Sequence, residues 1–441
     1  MENSFTVLFI VMLIILLLTF IVSGNDILNP VCIVTGVMTL SVFLATMTID
    51  RWHLYMSAEA SIIIITSILI FDLSGFWTDW RIKRNLKSSI VTKKNNEFTI
   101  TTKNILLLSL FMFILGLFQY REFYLAAKSL GNQAGILNFS AMIKTIRPFI
   151  ENETFRFSRW NSYRLIVAQA GLFCSIFCFF MNIFKNKDNG LKQNLKYLIP
   201  SITFIPFILA NTGREVPLIV MLYSLLTGSI IYEIRNNFSI KSKIRVLIFF
   251  SLCGAFFFII FLLLGTLSGK VSANGRPIFE ILAHYGGLSM PAFSVFLDST
   301  PIETPYIGNT TLSDLYTKLS VLGFNVPQVK GFLPFVEFND ISTNVYTMMA
   351  RYIKDYGIFG MHIIMMIIAM IYVSFYDYVR FISRKFITVA FYGLLPMTLF
   401  FSMNDDRFFS TILSTTTFYN FIVFYFMYKI LVDVREENEC G

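Results

Sequence analysis

A single arginine stands in a short polar turn between two long apolar runs of the sequence. Arg214 follows Gly213 and precedes Glu215. A guanidinium group at such a boundary can bind an anionic group, such as a lipid phosphate, through two parallel hydrogen bonds. It can equally extend toward lipid headgroups or pair with Glu215. Both interpretations of Arg214 remain open.

A second set of candidate residues has helical spacing. Arg276, Glu280 and His284 are separated by four residues each, which places all three along one face of a helix. Glu280 or His284 could take a proton from an attacking hydroxyl group, and an imidazole is the better acceptor near neutral pH. The alternative is a helix at the membrane surface whose polar stripe only faces water.

A third group of polar residues precedes the ninth long apolar run. Asn344, Tyr346, Arg351, Lys354 and Asp355 occur within a short stretch. Arg351 and Asp355 have the i, i+4 spacing of an ion pair on a helix, so they could simply bind each other.

Two further pairs have the residue types of metal ligands. Asp405 and Asp406 are adjacent and are followed by Arg407, but carboxylates on a tight turn more often cap a helix or stay solvated. Cys174 and Cys178 lie one helical turn apart without a histidine or carboxylate beside them, which favours packing. We therefore predict no metal site and no cofactor.

The composition shows which elements must position these residues. Of 441 residues, 55% are hydrophobic and only 14% are charged, whereas soluble domains carry about 25% charged residues. Many runs approach the roughly 20 residues that a helix needs to cross a bilayer. They are residues 5–22, 31–48, 57–77, 105–123, 165–184, 197–209, 216–232, 244–266, 358–375, 386–403 and 411–431. The sequence predicts that residues 1–441 form one integral domain, an all-α polytopic membrane protein with about eleven (10–12) transmembrane helices.

The distribution of basic residues predicts the orientation. The net charge of +9 could suggest a nucleic-acid partner, but the basic residues are spread among loops between apolar runs. The most basic loops all fall on one side when helices are counted, which the positive-inside rule assigns to the cytoplasm. These loops are 78–103, 185–196, 234–245 and 377–386. We therefore expect no nucleic-acid partner.

The two longest loops, 121–164 and 267–357, then lie outside. Residues 277–298 are too apolar for a linker, yet a full span there would invert every later loop. We predict a re-entrant or interfacial segment with a short helix that stops at Gly286 and Gly287.

The end of the large outer loop contains a distinctive sequence pattern. Residues 342–347 read Ser-Thr-Asn-Val-Tyr-Thr, and residues 351–360 read Arg-Tyr-Ile-Lys-Asp-Tyr-Gly-Ile-Phe-Gly. This pattern resembles that of the bacterial Wzy-type O-antigen and capsule repeat-unit polymerases. Gly213-Arg214 resembles the family's short outer turn, and residues 406–409 are similar but less specific. The motifs cover a small part of the chain, whereas the layout of spans and loops covers most of it.

The resemblance implies a GT-C-like membrane glycosyltransferase of polysaccharide biosynthesis in the bacterial cytoplasmic (inner) membrane. Its substrate would be an undecaprenyl-pyrophosphate-linked oligosaccharide at the outer leaflet, for O-antigen of lipopolysaccharide or for capsule. The growing glycan would leave its carrier and join a new lipid-linked repeat unit. Membrane lipid and a chain-length regulator protein are the other expected partners.

The residues can be assigned roles in that reaction. Arg214, Arg351 and Arg276 would stabilise the pyrophosphate, without a metal ion. His284 or Glu280 would be the base, an assignment that rests on spacing alone. Possible further substrate contacts are Asn344, Tyr346, Asp355 and Arg407.

Two other functions remain open. An O-antigen ligase would use similar chemistry with a different acceptor. A polysaccharide flippase or secondary transporter would need polar residues deep in several spans and often two related halves. The spans look almost free of buried charge and show no duplication, which argues against transport.

Overall fold

The computed structural model describes most of the chain. The described residues are 3–86, 96–151, 154–184, 190–211, 215–267, 278–299, 307–326, 333–383, 385–412 and 414–436. Arg214 and Arg276, two predicted pyrophosphate ligands, lie outside them.

The described residues are mainly helical. The helices are α1 (Asn3–Val22), α2 (Pro30–Thr46), α3 (Ile49–Trp52), α4 (Ala58–Leu86), α5 (Thr102–Ser129), α6 (Phe139–Glu151), α7 (Arg159–Ile183), α8 (Gly190–Asn194), α9 (Ile199–Thr203), α10 (Ile205–Leu209), α11 (Glu215–Arg235), α12 (Ile240–Leu267), α13 (Ile278–Gly286), α14 (Ser289–Asp298), α15 (Ser313–Val321), α16 (Met348–Asp377), α17 (Phe386–Leu394), α18 (Met397–Phe400) and α19 (Thr415–Leu431). The strands are β1 (Asn96–Thr99), β2 (Val336–Phe338), β3 (Ile341–Thr343) and β4 (Asp433–Glu436).

Six of the helices are long and apolar enough to cross a membrane, as the sequence predicts for a polytopic protein. They are α1, α4, α5, α7, α11 and α16. Shorter apolar helices lie at 30–46, 386–400 and 417–431. The chain is therefore a mainly helical protein with the character of a membrane protein.

Proline divides two of the predicted spans into short helices. Residues 197–209 form a 3₁₀ turn followed by α9 and α10, with Pro200 and Pro206 near the starts of those helices. Residues 386–403 divide into α17 and α18 next to Pro396. Proline lacks the N–H group that would continue the helix and clashes with the preceding turn, so each break has a local cause.

The chain forms two compact units, each assembled from separate stretches of sequence. Unit 1 comprises Met1–Val91, Arg276–Ile382 and Leu394–Phe418, and unit 2 comprises the remainder. In unit 1, α4 and α16 lie side by side and run in the same direction. The hydroxyl of Ser67 is 3.2 Å from the sulfur of Met361, and farther along a Cβ placed on Gly75 would lie 3.2 Å from Val373 Cγ2. Helices α1 and α2 pack beside them.

Helices α13 and α14 meet at the glycine pair where the sequence predicts the helix to stop. The Ser41 hydroxyl on α2 donates to the carbonyl oxygen of Gly286 at 2.5 Å. A Cβ placed on Gly287 would lie 2.8 Å from the backbone nitrogen of Ala45. A glycine here therefore lets the α13–α14 corner approach the end of α2.

Unit 2 contains a strand pair that joins distant parts of the chain. Strand β1 lies within the basic loop 78–103 and pairs antiparallel with β4, with Asn96 opposite Glu436. In the stretch 121–164, α6 packs Met142 and Ile146 against Phe123 of α5.

Helix α16 begins at Met348 and contains one non-helical residue, Gly357, with φ 68° and ψ 178°. This region of backbone space is essentially restricted to glycine, and strain of about 1–3 kcal/mol is expected for other residues. No atom lies within 4 Å of a Cβ placed on Gly357. We therefore expect Gly357→Ala to lower the thermal unfolding temperature of the purified protein through the backbone alone.

Gly254→Ala is the matched control for this substitution. Gly254 is inside α12, and a Cβ there also meets no atom within 4 Å. Alanine should be neutral or stabilising by up to about 1 kcal/mol in a helix. Equal unfolding temperatures for the two variants would contradict the proposed backbone strain at Gly357.

Candidate functional site

An ion pair joins the start of α16 to the turn that follows α18. Nε of Arg351 is 2.5 Å from Oδ1 of Asp405, and Nη2 is 3.1 Å from Oδ2. The Arg351 side chain is only 11% exposed, and Asp405 lies 54 residues farther along the chain. The same two segments are tied by the Met348 N–H group, which donates to the carbonyl oxygen of Ser402 at 3.0 Å.

The neighbouring carboxylate, Asp406, caps the next helical turn. Its Oδ1 accepts hydrogen bonds from the Tyr352 hydroxyl at 2.7 Å and from the N–H groups of Phe408 and Phe409 at 2.9 and 3.2 Å. Asp406 is fully buried, and among the described residues its Oδ2 has no hydrogen-bond partner. The structure thus shows the capping role that the sequence offered as an alternative to metal binding.

The pKa of Asp406 provides a prediction for pH dependence. Burial raises the pKa of Asp406 to about 6, although the hydrogen bonds from Tyr352 and Phe409 oppose the shift. The folded protein therefore binds this proton more tightly than the unfolded chain. The stability that Asp406 contributes is complete below about pH 4 and is lost as the pH rises through about 6, by up to about 3 kcal/mol.

Asp406→Asn should remove this part of the pH profile, because the amide oxygen can still accept the three hydrogen bonds. The measurement is the thermal unfolding temperature across this pH range. Asp314→Asn is the control, since Asp314 is 56% exposed and pairs only loosely with Lys318 at 3.6 Å. If the unfolding temperature of Asp406→Asn changed with pH as steeply as that of the unmodified protein, Asp406 would not be the group that causes the pH dependence.

Asp355 anchors a preceding loop rather than pairing with Arg351 through a hydrogen bond. It accepts from the N–H groups of Thr310 and Thr311 at 2.9 and 2.7 Å, and from the Thr311 hydroxyl at 2.8 Å. The simple i, i+4 pair considered from the sequence is therefore not the main arrangement. The carboxylate that hydrogen-bonds Arg351 is Asp405.

Tyr346 serves the packing of the same region. Its hydroxyl donates to the carbonyl oxygen of Pro334 at 2.7 Å, and its ring lies 6.0 Å from that of Phe296 on α14. Burial raises the pKa of the Tyr346 hydroxyl to about 12, so it remains a donor. Asn344 is half-buried between β3 and α16.

The two candidate bases lie one turn apart on α13, as their spacing predicts. Oε1 of Glu280 is 3.5 Å from Nε of Arg51, and Nη2 of Arg51 is also 3.4 Å from Oδ2 of Asp340. Arg51 thus links α13 to the β2–β3 hairpin. His284 is half-buried, and its ring centroid is 5.2 Å from that of Tyr285.

Arg51 was not among the residues that the sequence singled out. It lies on the short α3, and its two carboxylate partners are more than two hundred residues away. No local spacing could have signalled these pairs. The guanidinium of Arg407, which was a candidate, lies over the ring of Phe401 at 5.4 Å.

These contacts bring five segments of unit 1 to one end of it. They are α13, the β2–β3 hairpin, residues 307–312, the start of α16 and the turn 401–407. Within the described ranges, no three His, Cys, Asp or Glu side chains converge as metal ligands. The arrangement is a cluster of paired charges and tyrosine hydroxyls, suited to holding an anion or a sugar by exchange of these partners.

The spans of unit 1 contain buried carboxylates, contrary to the sequence-based statement that buried charge is almost absent. Asp72 on α4 is 4% exposed and accepts from the hydroxyls of Thr19 at 2.6 Å and Thr35 at 2.8 Å. Asp377 on α16 is fully buried. Hydropathy averaged over a span conceals a single acidic residue, so the argument against transport loses this support.

Comparison with known proteins adds no relative. No model of a protein family matches the sequence, and searches of curated proteins and of solved structures also find no match.

Proposed function

We propose that the protein is a repeat-unit polymerase that links undecaprenyl-pyrophosphate-bound oligosaccharides into O-antigen or capsular polysaccharide. The reaction would take place at the outer face of the bacterial cytoplasmic membrane, on a GT-C-like fold. One observation carries the proposal. The hydrogen bond from the Tyr352 hydroxyl to Asp406, next to the ion pair of Arg351 with Asp405, joins two separated stretches that each resemble the polymerase pattern.

The proposed reaction is a displacement at the anomeric carbon of the growing glycan. A sugar hydroxyl of the acceptor attacks the anomeric carbon of the growing glycan, and its proton passes to His284 or Glu280. The bond from that carbon to the pyrophosphate oxygen breaks, and undecaprenyl pyrophosphate leaves. Arg351, with Arg214 and Arg276, would stabilise the charge that develops on the leaving group.

The pairings of two of these residues refine the roles. Glu280 is held by Arg51, and an imidazole is the better proton acceptor near neutral pH, so His284 is the first choice of base. Arg351 would exchange Asp405 for pyrophosphate when substrate binds, which keeps the guanidinium oriented before the reaction.

The glycan profile of cells lacking the protein tests the function. Loss of a polymerase should reduce the ladder of lipid-linked glycans to a single repeat unit. Accumulation of polymer on free lipid carrier would instead indicate an O-antigen ligase. An unchanged ladder would contradict both assignments.

Metal independence is a separate expectation. Since arginine side chains would meet the pyrophosphate charge, purified protein should polymerise lipid-linked repeat units in excess chelator at its full rate. A loss of activity that magnesium or manganese restores would overturn this prediction and redirect attention to Asp405 and Asp406.

The buried Asp72 favours one alternative, a polysaccharide flippase or secondary transporter, because ionisable residues inside spans commonly mark transport pathways. Detergent solution separates the two functions, since transport requires two compartments and polymerisation does not. Polymer formed in detergent supports the polymerase. Flipping of lipid-linked oligosaccharide in proteoliposomes, without polymer in detergent, supports the transporter.

A further inference from the structure

Two carboxyl groups face each other at the end of α4 and α16 that carries the basic loops. The helices run in the same direction, and Gly75 on α4 lies opposite Val373 on α16. One helical turn farther along, the same faces present Asp79 and Asp377. The carboxyl group of Asp377 lies within hydrogen-bonding reach of Asp79.

Three oxygen atoms of this pair have no hydrogen-bond donor among the described residues. Asp79 Oδ2 accepts from Lys83 Nζ at 2.6 Å, but Asp79 Oδ1 is buried and has no partner in the described part of the chain. Both carboxylate oxygens of Asp377 are also buried without a partner in the described part of the chain, and Asp377 is 0% exposed. Two ionised carboxylates can only accept hydrogen bonds, so they repel each other at this distance.

The remaining charged groups nearby already have partners. From the α1–α2 turn, Asp26 accepts from the Tyr376 hydroxyl at 2.5 Å and lies 3.6 Å from Nη1 of Arg380. The carboxylates of Asp26, Asp79 and Asp377 thus face the cations of Lys83 and Arg380. Among the described residues, these three negative and two positive charges leave one negative charge at the site.

We propose that Asp79 and Asp377 form a proton-binding site, in which one carboxyl group donates its proton to a carboxylate oxygen of the other. One proton cancels the excess charge and converts a repulsive contact into a hydrogen bond. The pair thereby joins the ends of α4 and α16, and release of the proton opens that contact. The site is independent of the proposed polymerase reaction, which takes place at the opposite end of the same helices.

The surroundings favour a proton over a metal ion. Asp79 and Asp377 converge on each other, and the Lys83 ammonium is hydrogen-bonded to Asp79. No cluster of three acidic or imidazole ligands occurs in the described ranges. A metal cation beside Lys83 would be repelled, whereas a proton needs only the two oxygens already in reach.

Infrared spectroscopy of the purified full-length protein in lipid nanodiscs tests the site directly. The spectrum at neutral pH should contain the C=O band of a protonated carboxyl group, which is lost in alkali. The difference spectrum between the unmodified protein and Asp377→Asn should contain that band, because other carboxyl groups cancel. Asp314→Asn, at an exposed position, should leave it unchanged. A difference spectrum without the band would overturn the proposal.

Thermal unfolding supplies the second measurement. Between about pH 7 and 9, the range that buried carboxyl groups can reach, the unfolding temperature of the unmodified protein should fall as the shared proton is lost. In Asp377→Asn the amide donates permanently to Asp79, so at least half of this fall should disappear. If that variant fails to fold, Asp79→Asn supplies the same donor from the other side.

The choice of ligand is decided in the same assay. Sodium, magnesium or calcium at neutral pH could raise the unfolding temperature of the unmodified protein but not of Asp377→Asn. That result would show that the site binds a metal cation and not a proton. An equal fall of unfolding temperature in all variants would show that the pair binds no proton in this range.

Discussion

Arg351→Ala is expected to abolish polymer and to reduce the amount of folded protein. The substitution leaves Asp405 without its bidentate partner in a largely buried site. Removing one member of a buried ion pair typically costs about 3–5 kcal/mol. The lower end of that range applies here because the Asp405 side chain is 35% exposed. Membrane abundance and the glycan ladder are the two measurements.

A double substitution separates the structural effect from the chemical one. In Arg351→Ala with Asp405→Ala, neither member of the ion pair is left without the other, so abundance should recover toward normal. If Arg351 also stabilises the pyrophosphate, polymer should remain absent. Recovery of both abundance and polymer would show that the pair is only structural. Arg351→Lys keeps the positive charge but cannot make the two parallel hydrogen bonds of a guanidinium group, so only part of the activity should remain.

Arg214→Ala should lower the rate of polymer formation by about 10²–10³-fold while abundance stays near normal. A cation that grips a transferring pyrophosphate acts more strongly in the transition state than in the ground state, which gives an effect of this size. Arg214→Lys should recover only a fraction of the rate, because an ammonium group cannot make the planar two-pronged contact.

The matched control is Arg121→Ala, at an exposed arginine on α5 of the same unit. It should leave polymer unaffected. If Arg214 only anchors the turn at the headgroups, lysine should replace it fully and alanine should chiefly reduce abundance. A fully active, normally expressed Arg214→Ala would leave Arg351 as the leading pyrophosphate ligand.

Local patterns in the sequence predicted the helices better than the contacts between them. Long apolar runs form helices because their residues can satisfy backbone hydrogen bonds only within the segment. Pro200, Pro206 and Pro396 were visible in the runs that the structure divides, so those breaks could have been anticipated.

The site contacts could not be anticipated in the same way. The spacing of Arg351 and Asp355 indicated a local ion pair. Arg351 instead pairs with Asp405, because the turn after α18 returns to the start of α16. The pair of Arg51 with Asp340 likewise depends on how distant segments pack. Such partners are set by tertiary structure, and a single sequence contains no periodicity that reports them.

The pairing of β1 with β4 has a consequence for biosynthesis. During translation β1 emerges long before its partner β4. Until then, β1 presents an unpaired strand edge that other chains could occupy. Unit 2 can therefore reach its final form only after β4 has been synthesised, and a nascent chain truncated before Asp433 would keep an unpaired edge on β1.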